Sequence, residues 1–345
     1  MDNRILTDHL LQMNADEEFY RSYYQAQKNP DVLKEFLSEQ EPESLKARKL
    51  FVKELMPDSI PNALSDEDYF EDKLFDNIYI RKHNRYTPAF EHSHIFFEII
   101  YVLCGQCIHT VAQNTMEMRS GDLCLLPPSL KHSLSVTDDD SIVLNILIRR
   151  DTIEDIFFNV LKDKTLIASF FLGSLYRKNY ASCLTFHTNG DSGLADILLE
   201  MYEEQTDHDE YANRILSCML PIFFTKLIRK HKSHSEFSLA QDPTDDALFA
   251  YLVAHYDTVT LAKLADHLNY TVPYCSSYIK KETGHTFSQL LRQIRMKKAE
   301  SLLTSANISI QEISVRLGYN NPESFMKVFK KEYGMTPGQY RAVHS

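Results

Sequence analysis

The sequence predicts an α+β chain in which a small β-barrel with flanking helices is followed by an all-α region built from two helix-turn-helix units. Three observations carry that prediction. Between residues 76 and 150, short runs of β-branched and aromatic residues are separated by turn-forming clusters. On both sides of them, apolar residues recur at helical spacing. Near the C-terminal end two segments echo each other, at an offset of 49 residues in their first halves and 50 in their second.

Composition sets the outer limits. The 345 residues are 43% hydrophobic and 25% charged, enough apolar surface for more than one core, and at ~100 to 200 residues per domain two or three domains are expected. Glycine is scarce, at nine residues, and no GxGxxG or GxxxxGKS/T pattern occurs, so phosphate-cradling loops are not expected. HExxH and GxSxG are absent too, and six scattered cysteines are too few for a disulfide scaffold. The start, Met1-Asp2-Asn3-Arg4-Ile5, lacks the apolar run of a secretory signal. The longest apolar stretch, Ile215 to Ile228, is broken by Pro221 and Lys226 and falls short of the ~20 residues of a membrane span. A cytoplasmic protein with no membrane partner is the expectation.

Residues 1–75 read as an acidic helical segment, with 17 acidic and 9 basic side chains, serving as a solvated cover or an interaction element. Residues 76–150 hold the strand-like runs: Ile78 to Ile80, Phe96 to Leu103, Cys107 to Val111, Leu123 to Leu126 and Ile142 to Ile148. Turns are expected at Cys104-Gly105-Gln106, Ser120-Gly121-Asp122 and Thr137 to Asp140, giving a small antiparallel sandwich or barrel. Residues 151–231 read as a helical connector in which Leu194, Ile197, Leu198 and Met201 precede Ile215, Leu216, Met219, Leu220, Phe223 and Leu227. A helix this apolar must pack on the barrel or on its copy in a second subunit, so a homodimer is expected. Residues 232–243 are polar and aperiodic, a linker, and 244–345 read as helices with short turns.

The duplicated unit lies in that last segment. Leu261 to Tyr270, followed by Ile279-Lys280-Lys281-Glu282-Thr283-Gly284, is matched by Ile310 to Tyr319, followed by Phe329-Lys330-Lys331-Glu332-Tyr333-Gly334. Ser309 with Glu312 makes a capping box, Gly318 suits a positive-φ turn, Asn321 caps the next helix with Pro322 at its first position, and Gly334 closes it. In the first copy Thr271 caps, Pro273 lies in the first turn and Gly284 ends the helix. The run Gly318-Tyr319, Pro322, Phe325, Lys327, Phe329-Lys330-Lys331, Tyr333-Gly334, Thr336-Pro337 and Tyr340-Arg341 closely resembles the signature of the AraC/XylS family of bacterial transcription regulators. The match extends back through Arg295-Met296-Lys297-Lys298-Ala299-Glu300 to about Leu248.

That resemblance implies a double-stranded DNA partner, an operator or promoter, and two helix-turn-helix units joined by a long helix at about Thr286 to Leu303. Their recognition helices would enter successive major grooves, ~34 Å apart on one side of the duplex. In the first copy Cys275, Tyr278 and Ile279 take the family's inward positions, leaving Pro273, Tyr274, Ser276 and Ser277 to face DNA. In the second Phe325, Val328 and Phe329 point in, and Pro322, Glu323, Met326 and Lys327 point out. Thr271, Asn320 and Asn321 flank these helices. Lys280, Lys281, Arg292, Arg295, Lys330 and Lys331 are the candidate phosphate contacts. Family members often carry Arg or a large polar residue where Ser277 stands, so bidentate reading of guanine is lost there and more specificity falls on Glu323 and Lys327 or on DNA shape.

The strand-rich region carries a second resemblance. His92-x-His94-x3-Glu98 followed by Gly105, and Gly121-x5-Pro127 followed by His132, resemble the two motifs of the cupin barrel. His92, His94, Glu98 and His132 fall where metal-binding cupins carry three histidines and a glutamate. Tyr86 stands where the first motif usually opens with Gly, and Ser129 and Val136 replace a later Gly and Asn. Three readings follow for the four residues. The resemblance to AraC-like regulators implies a module that binds a small effector, often without metal. Direct divalent-metal binding, in a metal-dependent enzyme such as a dioxygenase or in a metal-sensing regulator, is the alternative. Histidines hydrogen-bonded in a barrel interior are the third reading. No cofactor is expected on the first reading, and no enzymatic activity. Cys104-Gly105-Gln106-Cys107 is a CxxC that reads as two strand residues flanking a two-residue hairpin turn, with redox sensing as the other reading.

The net charge of −11 divides unevenly. Residues 244–345 hold 12 basic and 9 acidic side chains against 25 and 39 before them, which places any DNA-binding surface at the C-terminal end. A regulator with a barrel that senses a small effector, a dimerising connector and contact with RNA polymerase if it activates is the resulting expectation.

Overall fold

The computed structural model describes residues 3–57, 63–64, 70, 77–160, 166–178, 180–206, 209, 211–231, 233–237, 243–305 and 308–344. In chain order these form helices α1 (Asn3–Leu11), α2 (Ala15–Ala26), α3 (Pro30–Ser38) and α4 (Pro42–Ala47), then strands β1 (Ala63–Leu64), β2 (Ile78–Lys82), β3 (Ser93–His94), β4 (Phe97–Cys104), β5 (Gln106–Val111), β6 (Asn114–Arg119), β7 (Asp122–Leu126), β8 (His132–Ser135) and β9 (Ile142–Ile148). Helices α5 (Arg150–Val160) and α6 (Leu166–Tyr176) follow, then β10 (Leu184–His187), α7 (Ser192–Thr206), α8 (Ala212–His231) and β11 (Ser235–Phe237). The last segment is helical: α9 (Pro243–His255), α10 (Leu261–His267), α11 (Val272–Thr283), α12 (Phe287–Ser305), α13 (Ile310–Arg316), α14 (Pro322–Tyr333) and α15 (Pro337–His344).

The chain divides into two compact units, one of Met1–Arg149 with Cys183–Ser238, the other of Arg150–Ser182 with Leu239–Ser345. The stretch 151–231, read from sequence as one connector, is thereby shared: α5 and α6 belong with the C-terminal helices, α7 and α8 with the barrel. Helix α6 explains its own placement, because Ile167 to Leu175 are buried throughout and such a helix needs cover on every side. It packs on α9, and α5 packs on α12. Of the expected linker, residues 232 and 238–242 lie outside the described residues, and β11 occupies 235–237 as a strand.

In the first unit a six-stranded antiparallel sheet, in the order β11-β10-β7-β4-β9-β2, is accompanied by a three-stranded sheet, β6-β5-β8. Strand β9 is buried along its whole length and β4 along its first six residues, which is why both read as unbroken apolar runs. Asn145 is the polar exception in β9. The edge strand β2 is protected by Gln205 of α7, whose amide donates to Ile80 O at 2.7 Å and accepts from Ile80 N. The hairpin expected at Cys104-Gly105-Gln106 does not form. Gly105, at φ +73°, is instead the corner where the chain leaves β4 in one sheet and enters β5 in the other.

Helix α2 is clamped to the barrel by Glu17. Its carboxylate completes a capping box with Asn14 and accepts from Lys82 Nζ at 2.6 Å and from Arg85 Nε at 2.9 Å. Lys82 and Arg85 also donate to the last carbonyls of α1 and beyond, at Leu10, Leu11 and Gln12. The acidic N-terminal segment is thus seated on the barrel through buried charge, and its own apolar cluster of Tyr20, Tyr23, Leu45, Leu50 and Val52 is packed against by Tyr86. Tyr86 and Ser129, the two positions where glycine was missing from the cupin motifs, both adopt left-handed backbone, at φ +61° and +67°. The turn geometry persists without the residue that favours it.

In the second unit, α10–α11 and α13–α14 are the two helix-turn-helix pairs and α12 joins them. Thr271 Oγ1 accepts from Tyr274 N, and Asn321 Oδ1 from Ser324 N at 2.8 Å. Gly284 and Gly334 close α11 and α14 in the left-handed conformation. Gly318 and its counterpart Asn269 take positive φ at the turns. Only half of the expected capping box is made: Ser309 accepts from Glu312 N, but the Glu312 carboxylate pairs with Arg316 at 2.7 Å.

Candidate functional site

Strands β3, β4 and β8 bring three of the four predicted barrel residues together. His94, Glu98 and His132, exposed by only 1%, 5% and 2%, place one ligand-type atom each within 4.8 Å of one another. Glu98 Oε2 lies 3.1 Å from His94 Nε2 and 3.3 Å from His132 Nε2. His94 Nδ1 contacts Phe96 O at 2.6 Å, which requires Nδ1 to carry the proton, and its ring stacks on Phe96. Asn145 Nδ2 donates to Glu98 Oε1. His92 stands apart from the triad: its backbone bridges to His132, its Nδ1 contacts Phe90 O at 3.2 Å, and its ring centroid is 4.4 Å from that of His132.

Two histidines that motif matching passed over belong here. His109 on β5 puts Nε2 3.2 Å from His132 Nδ1, and His83 lines the same cavity. Strand alternation was the available signal for His109, since Cys107, His109 and Val111 all turn inward. The cavity, of about 60 Å³, is also walled by Arg81, Phe90, Phe96 and Asn145. Burial pushes His83 down to about 3 and His109 to about 4, which leaves these two imidazoles neutral at pH 7, and it lowers His92 and His132 as well. Burial alone would raise Glu98, but its contacts with His94, His132 and Asn145 outweigh that and hold the carboxyl well below its ordinary value. Cys104 and Cys107 of the CxxC are both free thiols. Burial raises Cys104 and pushes Cys107 up to about 12, leaving neither as thiolate at neutral pH.

On the helix-turn-helix face, Cys275 and Ile279 are buried with Tyr278 half-buried, and Phe325 and Phe329 are buried with Val328 half-buried. Thr271, Pro273, Tyr274, Ser277, Asn320, Asn321, Glu323, Met326 and Lys327 are exposed, whereas Ser276 and Pro322 are half-buried. Thr271 and Asn321 spend their side-chain oxygens as N-caps. Tyr274 joins a ladder with Tyr270 and Tyr278. Lys280, Lys281, Arg292, Lys330 and Lys331 are exposed, the lysines in the last turns of α11 and α14. Arg295 is corrected: its Nε donates to Tyr256 O at 2.8 Å and its Nη2 to Asp257 O at 3.1 Å, with the guanidinium over Tyr319. It caps the chain after α9 and is not positioned as a phosphate contact.

Residues 76–220 match the model of the AraC-like ligand binding domain, and residues 264–342 match a helix-turn-helix domain. A ligand-binding barrel ahead of paired DNA-binding helices defines a transcription regulator with a ligand-binding N-terminal part. The chain belongs to the AraC family of these regulators. The HTH-type transcriptional activator RhaR of Escherichia coli (strain K12) is 25% identical over 264 residues, spanning 74% of this chain and 88% of RhaR. Among solved structures, the C-terminal domain of AraT, a response regulator from Geobacillus stearothermophilus, is 38% identical, with a TM-score of 0.28, over 30% of this chain and 86% of that one. ToxT from Vibrio cholerae O395 is 17% identical, with a TM-score of 0.32, over 78% of this chain and 97% of ToxT. Among the described residues no helix is long and apolar enough to cross a membrane.

Proposed function

We propose that this chain is a cytoplasmic, homodimeric regulator whose barrel, acting as a sensor and not as an enzyme, takes a small effector at His92, His94, Glu98 and His132. The observation that carries the DNA half of the reading is the matched pair of capped helices, α11 and α14. Each turns an exposed polar face outward and ends in an exposed lysine pair. Thr271, Pro273, Tyr274, Ser276, Ser277, Asn320, Asn321, Pro322, Glu323, Met326 and Lys327 are assigned to the groove, and Lys280, Lys281, Arg292, Lys330 and Lys331 to phosphates. Where the effector promotes transcription, RNA polymerase is the further partner.

The test is recovery of sheared genomic DNA by the purified protein, followed by sequencing and titration of the enriched fragment. Lys327→Ala is expected to weaken that complex by ~1 to 3 kcal/mol, and Lys330→Ala to lower the salt dependence by about one ion. Recovery of no sequence above background rejects the reading.

Dimerisation is assigned to α8. Tyr211, Ile215, Cys218 and Ile222 form an exposed stripe at spacings of four, three and four residues, the pattern of a helix seam. Burying Ile215 and Ile222 against a second copy contributes about 1.5 to 3 kcal/mol per side chain. Ile222→Asp is therefore expected to shift the protein to monomer in analytical ultracentrifugation, and mild oxidation of the parent to cross-link Cys218 to its copy. A parent that sediments as a monomer removes this assignment.

A further inference from the structure

We infer that α11 sorts operators by thymine: the apolar first turn of this helix reads C5-methyl groups in the major groove, where α14 reads hydrogen-bonding base edges. This rests on the DNA-binding reading above and names what the first helix recognises. An offset of 50 residues brings the two helices into register. The buried Cys275 and Ile279 then fall on the buried Phe325 and Phe329, so the same face is turned outward in both. Along that face Pro273 occupies the place of Glu323, Tyr274 that of Ser324, Ser276 that of Met326 and Ser277 that of Lys327.

These exchanges change the chemistry on offer. Glu323 can accept from cytosine N4, and Lys327 can donate to guanine O6 or N7. Nothing from Val272 to Ile279 carries a charge or a side-chain amide, so that part of α11 holds no group for a bidentate contact to guanine or adenine. Val272 is 43% exposed and Tyr274 53%, with exposed Pro273 between them. Three consecutive apolar side chains, exposed at the start of a helix that meets DNA, need an apolar partner. The C5-methyl of thymine is the apolar group that base pairs offer in the major groove. Tyr274 is also held ready for it. Its ring centroid lies 4.6 Å from that of Tyr270, edge-on, and 6.1 Å from that of Tyr278, stacked. A ring braced from two sides gives up little rotamer freedom on binding. A methyl seated against such a wall is buried, and its removal registers as lost apolar contact.

The experiment uses the full chain and the duplex enriched from genomic DNA, resynthesised with deoxyuridine in place of one thymidine at a time. Uracil pairs as thymine does and lacks only the C5-methyl. Band-shift titration at fixed salt is expected to find a cluster of thymines whose replacement weakens binding about fourfold each, the loss of one methyl-sized contact. Tyr274→Ser, which gives α11 the residue α14 carries, should bring the thymine duplex down to the level of the uracil duplex and so erase the penalty. Tyr274→Phe keeps the ring and should retain the penalty. Lys327→Ala should weaken both duplexes alike and leave the penalty unchanged. Melting curves show whether each variant folds, and Pro273→Ser serves as the second variant if Tyr274→Ser does not. A duplex insensitive to methyl removal at every thymine overturns the inference, as does a penalty undiminished in both Tyr274→Ser and Pro273→Ser. Erasure of the penalty by Tyr274→Phe also overturns it, because the hydroxyl would then be the reader. Recovery of no DNA rejects the regulator reading and this inference with it, whereas recovered DNA that ignores the methyl rejects this inference alone.

Discussion

Glu17→Ala is expected to be the most destabilising single substitution in the first unit, costing about 3 to 5 kcal/mol, because it strands two buried cations. Glu17 is fully buried, Arg85 is 1% exposed, and Lys82 Nζ and Arg85 Nε both point at the lost carboxylate. The same change frees Asn14 N and undoes the α2 capping box. With no tryptophan and 19 tyrosines in the chain, guanidinium unfolding followed by tyrosine fluorescence measures the loss. The effect has a pH signature. Burial raises the Glu17 pKa, but hydrogen bonds from Arg85 and Lys82 outweigh it and leave the folded value below 4.5. A depressed carboxyl stabilises fully above its unfolded pKa and loses that contribution as pH falls through the folded one. Parent and variant should therefore differ at pH 7 and converge only as pH falls through the folded value, which lies below 4.5. Equal midpoints at pH 7 would show that the clamp contributes nothing.

Gly318→Ala should be nearly as damaging, and confined to the second unit. Gly318 has φ +74°, and a Cβ there would lie 1.8 Å from Asp257 O and 2.6 Å from Asp257 C. The obstacle is backbone, which Arg295 also holds through Asp257 O and Tyr256 O. Relief requires the α13–α14 turn to move away from the end of α9. A cost of about 2 to 4 kcal/mol is expected from left-handed strain plus that collision, together with loss of specific DNA binding. Gly334 provides the internal control. It has φ +73° but nothing within 4 Å of the added Cβ, so Gly334→Ala should cost only about 1 to 2 kcal/mol. Equal melting shifts for the two variants would show that strain alone accounts for Gly318.

Much of this was legible before any coordinates. Caps, prolines and closing glycines act over a few residues, so Thr271, Asn321, Gly284 and Gly334 could be placed from sequence alone. The triad was legible through motif spacing. What escaped depends on partners distant in sequence. Leu184 to His187 is too short to announce itself as a strand, and only pairing with β7 and β11 makes it one. The periodicity of α6 says that it is buried but not against which unit. Arg295 reads as a surface cation because nothing local reveals the carbonyls after α9. The Cys104-Gly105 corner looks like a hairpin because a positive-φ glycine serves both, and only the neighbouring strands distinguish them.

The sharing of residues 150–182 bears on how such a regulator can be assembled by recombination. The chain passes between its two units three times, at residues 149/150, 182/183 and 238/239. A gene fusion with a single joint near residue 240 would give a new sensor the helix-turn-helix pairs but leave α5 and α6 behind. Helix α9, whose Leu248, Phe249 and Leu252 are buried, would then lose the helix that packs on it. Exchange of sensors is thus workable only when residues 150–182 travel with the DNA-binding half, a three-joint transfer that constrains which halves can be paired.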